Sequence, residues 1–249
     1  MLYFDGKQYD RFMQVASPNE LPFYLDLSKH FGNKVLELGI GTGRVGLELA
    51  AAGCTVSGID LFQPMLDEAA GKAEKRGLKL DLTCADMSNF DLGTDFDLVI
   101  IAFNSIHHLL GHEQLGGLFS CIKKHLRANG AFAFDMSNLS VFPSGDQVEE
   151  YMLRKYIHPE NNKEVEIHIR QTYDPLQQIQ YMAWSYLQEG KTIRQEQVNL
   201  RVYAPQEMEG YLKFNGFRII GKYGSFEKAD YELTGEKVIY VTRLASAQA

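Results

Sequence analysis

The chain of 249 residues carries one tryptophan, three cysteines and no surplus of basic residues, with 25 lysines and arginines against 32 aspartates and glutamates. Each shortage excludes something. Cys54, Cys84 and Cys121 are odd in number and widely spaced, which argues against a disulfide framework and a zinc site; they read as small buried hydrophobes. A formal charge of −7 speaks against a phosphate-backbone partner, since such proteins show a basic face. No nucleic acid is expected. The longest apolar runs, such as Phe96 to Phe103, fall far short of the about 20 residues that cross a bilayer. Met1 to Asp10 has acidic and aromatic residues where a signal peptide would have a basic segment and an apolar core. A cytoplasmic location without a membrane partner is the expectation. No low-complexity stretch or block of like charge interrupts the chain, which reads as folded throughout.

Its length suits one large α/β domain carrying an insertion, because single cores stop growing near roughly 250–300 residues. The first part alternates short apolar runs with helical patterns, the signature of βαβ units and a parallel sheet. Strands are expected at Lys34–Leu38, Thr55–Ile59, Leu78–Cys84, Phe96–Ala102 and Ala131–Asp135, with helices over about 44–52, 64–77 and 113–127. The continuous apolar run of the fourth strand marks it as central, covered on both faces. From about Glu149 to Tyr203 the period drops to two, as in Val165, Ile167 and Ile169, so an antiparallel meander is expected, with a hairpin turn at Glu189-Gly190-Lys191. A helix after Pro205 and strands at Phe217–Lys222 and Lys237–Leu244 complete the chain. The expected units are 1–33, an amino-terminal lid and helix; 34–148, a cofactor-binding core; 149–203, the antiparallel insertion; and 204–249, which completes the core.

Val35 to Gly43 runs a strand into a helix through Gly39, Gly41 and Gly43, where backbone must approach a ligand without a Cβ in the way. Asp60, ending the second strand, stands where a carboxylate accepts from both ribose hydroxyls, at the sheet edge where open α/β folds bind ligands. Gly41, Gly43 and Gly46 also satisfy the dinucleotide pattern Gly-x-Gly-x-x-Gly, so the glycines alone leave NAD and S-adenosylmethionine both open. Three features favour the second. Glu37 puts a carboxylate at the strand end, unwelcome to a pyrophosphate but suited to a cationic amino-acid group. Asp86 in Cys84-Ala85-Asp86-Met87 ends the third strand, suited to the adenine amino group. The last strand pair behind an insertion fits a methyltransferase sheet better than a second mononucleotide-binding half.

On these residues, Lys34 to Asn138 resembles the class I S-adenosylmethionine-dependent methyltransferases. The resemblance implies a Rossmann-like seven-stranded α/β sheet whose last strand is antiparallel, with an antiparallel β insertion after strand 5. It implies S-adenosylmethionine as cofactor, with Gly39, Gly41 and Gly43 near its methionine part, Asp60 and Leu61 at the ribose, Asp86 and Met87 at the adenine, and Phe103 closing the fourth strand. The insertion, together with Tyr9-Asp10-Arg11-Phe12, is similar to the subgroup of amino-sugar N-methyltransferases and glycine N-methyltransferase-like enzymes. There the amino-terminal tyrosine covers the cofactor, which makes Tyr9 a lid candidate. The plainer alternative has Tyr3, Phe4, Tyr9 and Phe12 stapling the amino terminus to the core.

An amine or hydroxyl acceptor loses a proton on methylation, and His107 and His108, just past the fourth strand, are the candidates to take or orient it. His108 matches a histidine of the amino-sugar subgroup. Alternatively one of the two caps the next helix and the other lies on the surface. Asp135 and Asn138 follow the fifth strand, but Ala102-Phe103-Asn104 has no acid to complete an oxygen-ligand site, so no catalytic metal is expected. Asp135 either faces the pocket or caps the next turn. The insertion offers Tyr173, Tyr181, Trp184, Tyr186, Arg194, Arg201 and Tyr203 either as an acceptor wall or as a homodimer contact. The leading expectation is methyl transfer to nitrogen or oxygen of a small molecule. An NAD-dependent oxidoreductase and a cofactor-binding protein without chemistry are the alternatives.

Overall fold

The computed structural model describes residues 6–13, 19–142, 148–158 and 161–245. Tyr3 and Phe4 lie outside these residues, as does the side chain of Phe12.

The βαβ rhythm of the sequence becomes β1 (Lys34–Leu38), α3 (Gly46–Ala51), β2 (Thr55–Asp60), α4 (Gln63–Lys75), β3 (Leu80–Cys84), β4 (Phe96–Ile101), α5 (His112–His125) and β5 (Leu126–Ser137). Two helices precede it, α1 (Gly6–Met13) and α2 (Leu21–Phe31). After the insertion come α6 (Pro205–Phe214), β10 (Phe217–Tyr223) and β11 (Lys237–Leu244). The main sheet runs β10-β11-β5-β4-β1-β2-β3. Strands β1 to β5 are parallel, and β11 enters antiparallel between β5 and β10. The dinucleotide alternative called for a second parallel mononucleotide-binding half, and there is none among the described residues.

Central strands sort their side chains onto two faces by the period of two. Leu36, Leu38, Val99, Ile101, Phe132 and Phe134 meet Leu115, Phe119 and Ile122 of α5 and Met208 and Leu212 of α6. Val35, Leu98, Ile100, Ala131 and Ala133 meet Phe23, Tyr24 and Leu27 of α2, with Leu49 and Leu66, on the other face.

The insertion is a separate sheet in the order β6 (Glu149–Ile157), β7 (Glu164–Asp174), β8 (Ile179–Gln188) and β9 (Lys191–Arg201), antiparallel throughout. Glu189 and Gly190, both at positive φ, make the β8–β9 turn, as the tight-hairpin rule requires. Val165, Ile167, Ile169, Met182, Trp184, Tyr186 and Val198 form its apolar face.

Two expectations need correction. Helix α5 stops at His125, and β5 already begins at Leu126; the register then skips from Phe96–Leu126 to Leu98–Ala131, so Asn129 and Gly130 sit in an irregularity of the strand and not at a helix end. Nor are the cysteines all buried: Cys84 is exposed and Cys54 and Cys121 are half-buried.

Phe132 stacks on Phe134 at 4.9 Å between centroids, meets Phe119 edge to face and lies tilted against Phe217. Phe132→Ala should lower the unfolding free energy by about 3–5 kcal/mol in urea denaturation. A loss below about 1 kcal/mol would show that this face does not hold the sheet.

Candidate active site

Carboxyl ends of β1, β2, β3 and β4 converge on one chamber of about 800 Å³ that continues beneath the insertion sheet. Of the residues expected at the cofactor, Tyr9, Gly39, Gly41, Asp60, Leu61, Asp86, Met87 and Phe103 line it, as do His107 and His108. Glu37 and Gly43 do not; they sit behind the loop. Gly39, Gly41 and Gly43 all have positive φ, a region open to glycine, and Gly39 and Gly41 present backbone to the chamber. Sequence reasoning missed Phe62, Met65, Asn104 and Ser105, neighbours of the motifs that no spacing marks out.

Asp60 is held by backbone: Gly41 N–H donates to Oδ2 and Phe62 N–H to Oδ1, both at 2.9 Å. Burial raises its pKa above the ordinary carboxylate value. Each oxygen keeps acceptor capacity for a further donor. Asp86 takes the Ser88 N–H and hydroxyl on Oδ1 alone, leaving Oδ2 toward a ligand. Tyr9 is docked by its neighbour Asp10, which binds Thr42 Oγ1 and pairs with Lys72; burial pushes its phenol up to about 12.

Behind the loop, Glu37 is buried, and among the described residues its Oε2 has no hydrogen-bond partner. Buried Glu20, just before α2, ion-pairs with Arg44, whose guanidinium lies 5.0 Å from the centre of the Phe103 ring. Burial pushes Glu37 up to about 8 and Glu20 to about 7, with Arg44 pulling both down, the field of Glu20 opposing ionisation of Glu37 and that of Asp135 opposing ionisation of Glu20. Behind the loop, then, one guanidinium pairs with Glu20 and lowers the pKa of both carboxyls.

Past β4 the chain makes two consecutive left-handed residues, Phe103 at φ 57° and Asn104 at φ 61°, then a single 3-10 turn, Ser105–His108. Asp135 is fully buried and does not line the chamber; it accepts Phe103 N–H at 2.8 Å and Tyr24 OH at 3.3 Å, and pairs with Lys237 at 2.8 Å. It therefore secures the turn after β4. Asn138 donates to the carbonyls of Glu232, Leu233 and Gly235, tying down the loop before β11.

The two histidines differ. Ser137 N–H can only donate, so it meets a lone pair on His107 Nε2 at 3.0 Å, and Nδ1–H donates to Arg201 O at 2.6 Å. Both ring nitrogens of His107 are occupied by backbone. His108 is half-buried at the chamber wall. Burial drives both rings down to about 4, so both are neutral at pH 7.

The insertion's aromatics are mostly not the wall expected of them. Of the seven, Trp184 alone lines the chamber. Tyr181 is exposed on the other face and bonds Gln177. Arg194 pairs with Glu196 beside Tyr186. Arg201 binds Gln177, Gln178 and Glu207, and Tyr203 OH donates to Leu109 O. The wall is made instead by Leu153, Arg154, Ile169, Gln180, Met182, Val198 and the edge residues Gln197 and Asn199, with Trp184. Aromatic content pointed to the wrong rows because β-strand aromatics serve either face.

With the geometry in hand, residues 35–130 match the family described as a methyltransferase domain. Those residues carry a methyltransferase domain. The ubiquinone biosynthesis O-methyltransferase of Actinobacillus pleuropneumoniae is 40% identical over 114 residues, 43% of this chain and 47% of that protein. The chain thus spans about half the length of that curated relative. Among solved structures, the CcbJ methyltransferase of Streptomyces caelestis matches with a TM-score of 0.84 and 24% identity over 98% of both chains. The S-adenosylmethionine-bound amino pentose methyltransferase CalS10 of Micromonospora echinaspora matches with 0.71 and 21%, again over 98% of both. These two likenesses carry the fold, insertion included.

The residues fit S-adenosylmethionine: an orphaned buried oxygen on Glu37 behind the loop for a cationic amino-acid end, Cβ-free backbone at Gly39 and Gly41, and acceptor capacity on Asp60 and Asp86 for a diol and an amino group.

Two outcomes follow. Asp60→Ala should weaken S-adenosylhomocysteine binding about 10–100-fold in calorimetric titration, the worth of charge-assisted hydrogen bonds, with NAD binding to neither protein. An unchanged affinity would remove Asp60 from the site. The second concerns pH. A carboxyl whose folded pKa is raised stabilises the fold below its unfolded value and loses that contribution as pH climbs through the folded one; a histidine with a lowered folded pKa stabilises above its unfolded value and loses as pH falls. From about pH 4.5 to 6.5 the two glutamates and two histidines therefore oppose each other. From about pH 6.5 to 8 only Glu20 and Glu37 act, so the ligand-free protein should lose stability there, with a shallower loss in Glu20→Gln. Urea midpoints that rise over that window in the wild type would contradict the assignment.

Proposed function

We propose that the chain transfers a methyl group from S-adenosylmethionine to the nitrogen of a small-molecule acceptor held between the Ser105–His108 turn and the insertion sheet. The observation that carries this reading is the continuity of the chamber: the nucleotide-binding edge and the insertion share one cavity, with His107 and His108 between them. Bound there, the cofactor supplies a sulfonium methyl that is already an electrophile. What the protein adds is alignment of the acceptor lone pair and exclusion of water, which together supply much of the acceleration.

Nitrogen is favoured over oxygen by base strength. A histidine whose imidazolium is as acidic as pKa about 4 is a weak base and is poorly matched to removing a hydroxyl proton. A neutral amine brings its own lone pair and needs only a hydrogen-bond acceptor to orient its N–H. His108 is assigned that role. His107, locked between Ser137 and Arg201, is a positioning residue that fixes the turn on which His108 stands. Tyr9 acts as the lid over the cofactor end, and Gln114 at the start of α5 and Ser137 at the end of β5 add polar wall on the acceptor side. The amino pentose specificity stated for CalS10 is in keeping with an amine acceptor.

Once an acceptor is in hand, His108→Ala should lower kcat/KM about 100-fold, the lower range for a positioned proton-handling group. Full turnover in that variant would remove His108 from the mechanism. The pH profile tests the nitrogen assignment. His108 stays neutral down to pH about 4, so kcat/KM should rise with pH toward the acceptor amine's own pKa without a break between pH 6 and 7. A hydroxyl substrate turned over faster than its amine analogue would overturn the choice of nitrogen.

A further inference from the structure

The chain's net charge is −7, yet the acceptor half of its chamber has the opposite bias. Among the described lining residues the carboxylates are Asp60 and Asp86, both at the cofactor end, and the one lysine or arginine is Arg154, on β6 of the insertion. The rest of the acceptor wall is apolar side chain, neutral imidazole, hydroxyl and carboxamide.

Arg154 is in the chamber because of a backbone irregularity. Pairing residues of an antiparallel ladder share a face. Tyr151 pairs with Ile169 on the inner face and Met152 with His168 on the outer. Strict alternation would then turn Leu153 inward and Arg154 outward. The register instead shifts between Met152 and Arg154, so that Leu153 is the extra residue and Arg154 pairs with inward-facing Ile167. Both Leu153 and Arg154 line the cavity as a result. Lys155, back on the outer face, pairs with Glu164 and Glu166 in solvent. Bulges beside binding sites re-aim side chains in this way.

We infer that the acceptor is an apolar-bodied molecule bearing an oxyanion, a carboxylate or phosphate, which Arg154 recognises while Leu153, Ile169, Met182 and Trp184 hold the body. This rests on the reading of the chamber as an acceptor site. A planar guanidinium is the side chain suited to two-pronged oxyanion recognition. The same bias disfavours an ammonium ion in the chamber, so the amine to be methylated enters in its neutral, nucleophilic form.

The probe is 8-anilinonaphthalene-1-sulfonate, an apolar-bodied anion, titrated by fluorescence into protein saturated with S-adenosylhomocysteine. Saturable binding should weaken about tenfold or more in Arg154→Gln, with Arg154→Lys intermediate, and 1-naphthylmethylammonium should fail to displace the dye. Equal affinity in wild type and Arg154→Gln, displacement by the cation, or no saturable binding at millimolar dye would each overturn the inference. S-adenosylhomocysteine affinity is measured on the same samples. It should be unchanged in both Arg154 variants, which shows them folded. Failure of the wild type to bind it would instead strike the methyl-transfer reading, leaving the anion result to be judged by itself.

Discussion

The buried carboxylate of Asp135 fixes the geometry on which the rest of the chamber depends. A bulky residue with positive φ is rare, and the chain has Phe103 followed by Asn104 in that region, each costing of order 1–3 kcal/mol unless the surroundings enforce it. Asp135 enforces it by accepting the Phe103 N–H, while its other partners, Tyr24 and Lys237, come from α2 and β11. Arg44 over the Phe103 ring and Lys237 beside Asn104 brace the same two residues. One strand-end acid thus joins α2, β5, β11 and the turn after β4. The strained turn carries the chain off the end of the sheet and lays Ser105–His108 across the cavity.

What that turn touches next is the insertion. His107 links β5 to β9 through its two nitrogens, and Tyr203, just past β9, returns a hydrogen bond to Leu109. Arg201 binds Gln177, Gln178 and Glu207 and so ties the β7–β8 connection to α6. The sheet that walls the acceptor side is therefore registered to the core by buried polar bonds at the point nearest the reacting groups. Polar bonds of this kind tolerate little displacement, since a broken one leaves a buried group unsatisfied. The aromatics and arginines of β9 and its exit serve this registration, which is why so few of them face the cavity.

The parts of this arrangement that follow a local rule were legible in the sequence. Period-two and period-3.6 patterns located every strand of the main sheet and the antiparallel region of the insertion, and β11 was delimited to the residue, because its ends are marked by a change from polar loop to the apolar run Val238–Val241. The glycines, Asp60 and Asp86 were legible because a strand-to-helix turn and a strand end confine what a side chain there can do. Long-range partners left no such mark. That Asp135 serves Phe103, 32 positions away, and that His107 serves Arg201, 94 positions away, follows from strand order and not from spacing. Leu153 and Arg154 were missed for a sharper reason: a bulge breaks the alternation that identifies an inward residue, so the position that departs from the pattern is the one the pattern misassigns.

The distribution of charge completes the physical picture. The carboxyls of Asp60 and Asp86 line the cofactor end, with Glu20, Glu37 and Arg44 behind the loop. A sulfonium cofactor bound there would lie in the half of the cavity whose lining carboxyls favour positive charge. Beyond Phe103 the lining becomes apolar and amide-rich, with two imidazoles held neutral by burial. In the proposed reaction, methyl transfer to an amine would move positive charge from sulfur toward the acceptor, and in a water-poor cavity such a displacement is felt more strongly than in solvent. Groups that are neutral but can accept a hydrogen bond, as His108 can, follow the developing charge without having attracted an ammonium ion beforehand. A carboxylate in their place would bind the protonated amine more tightly and hold it in the form that has no lone pair to give.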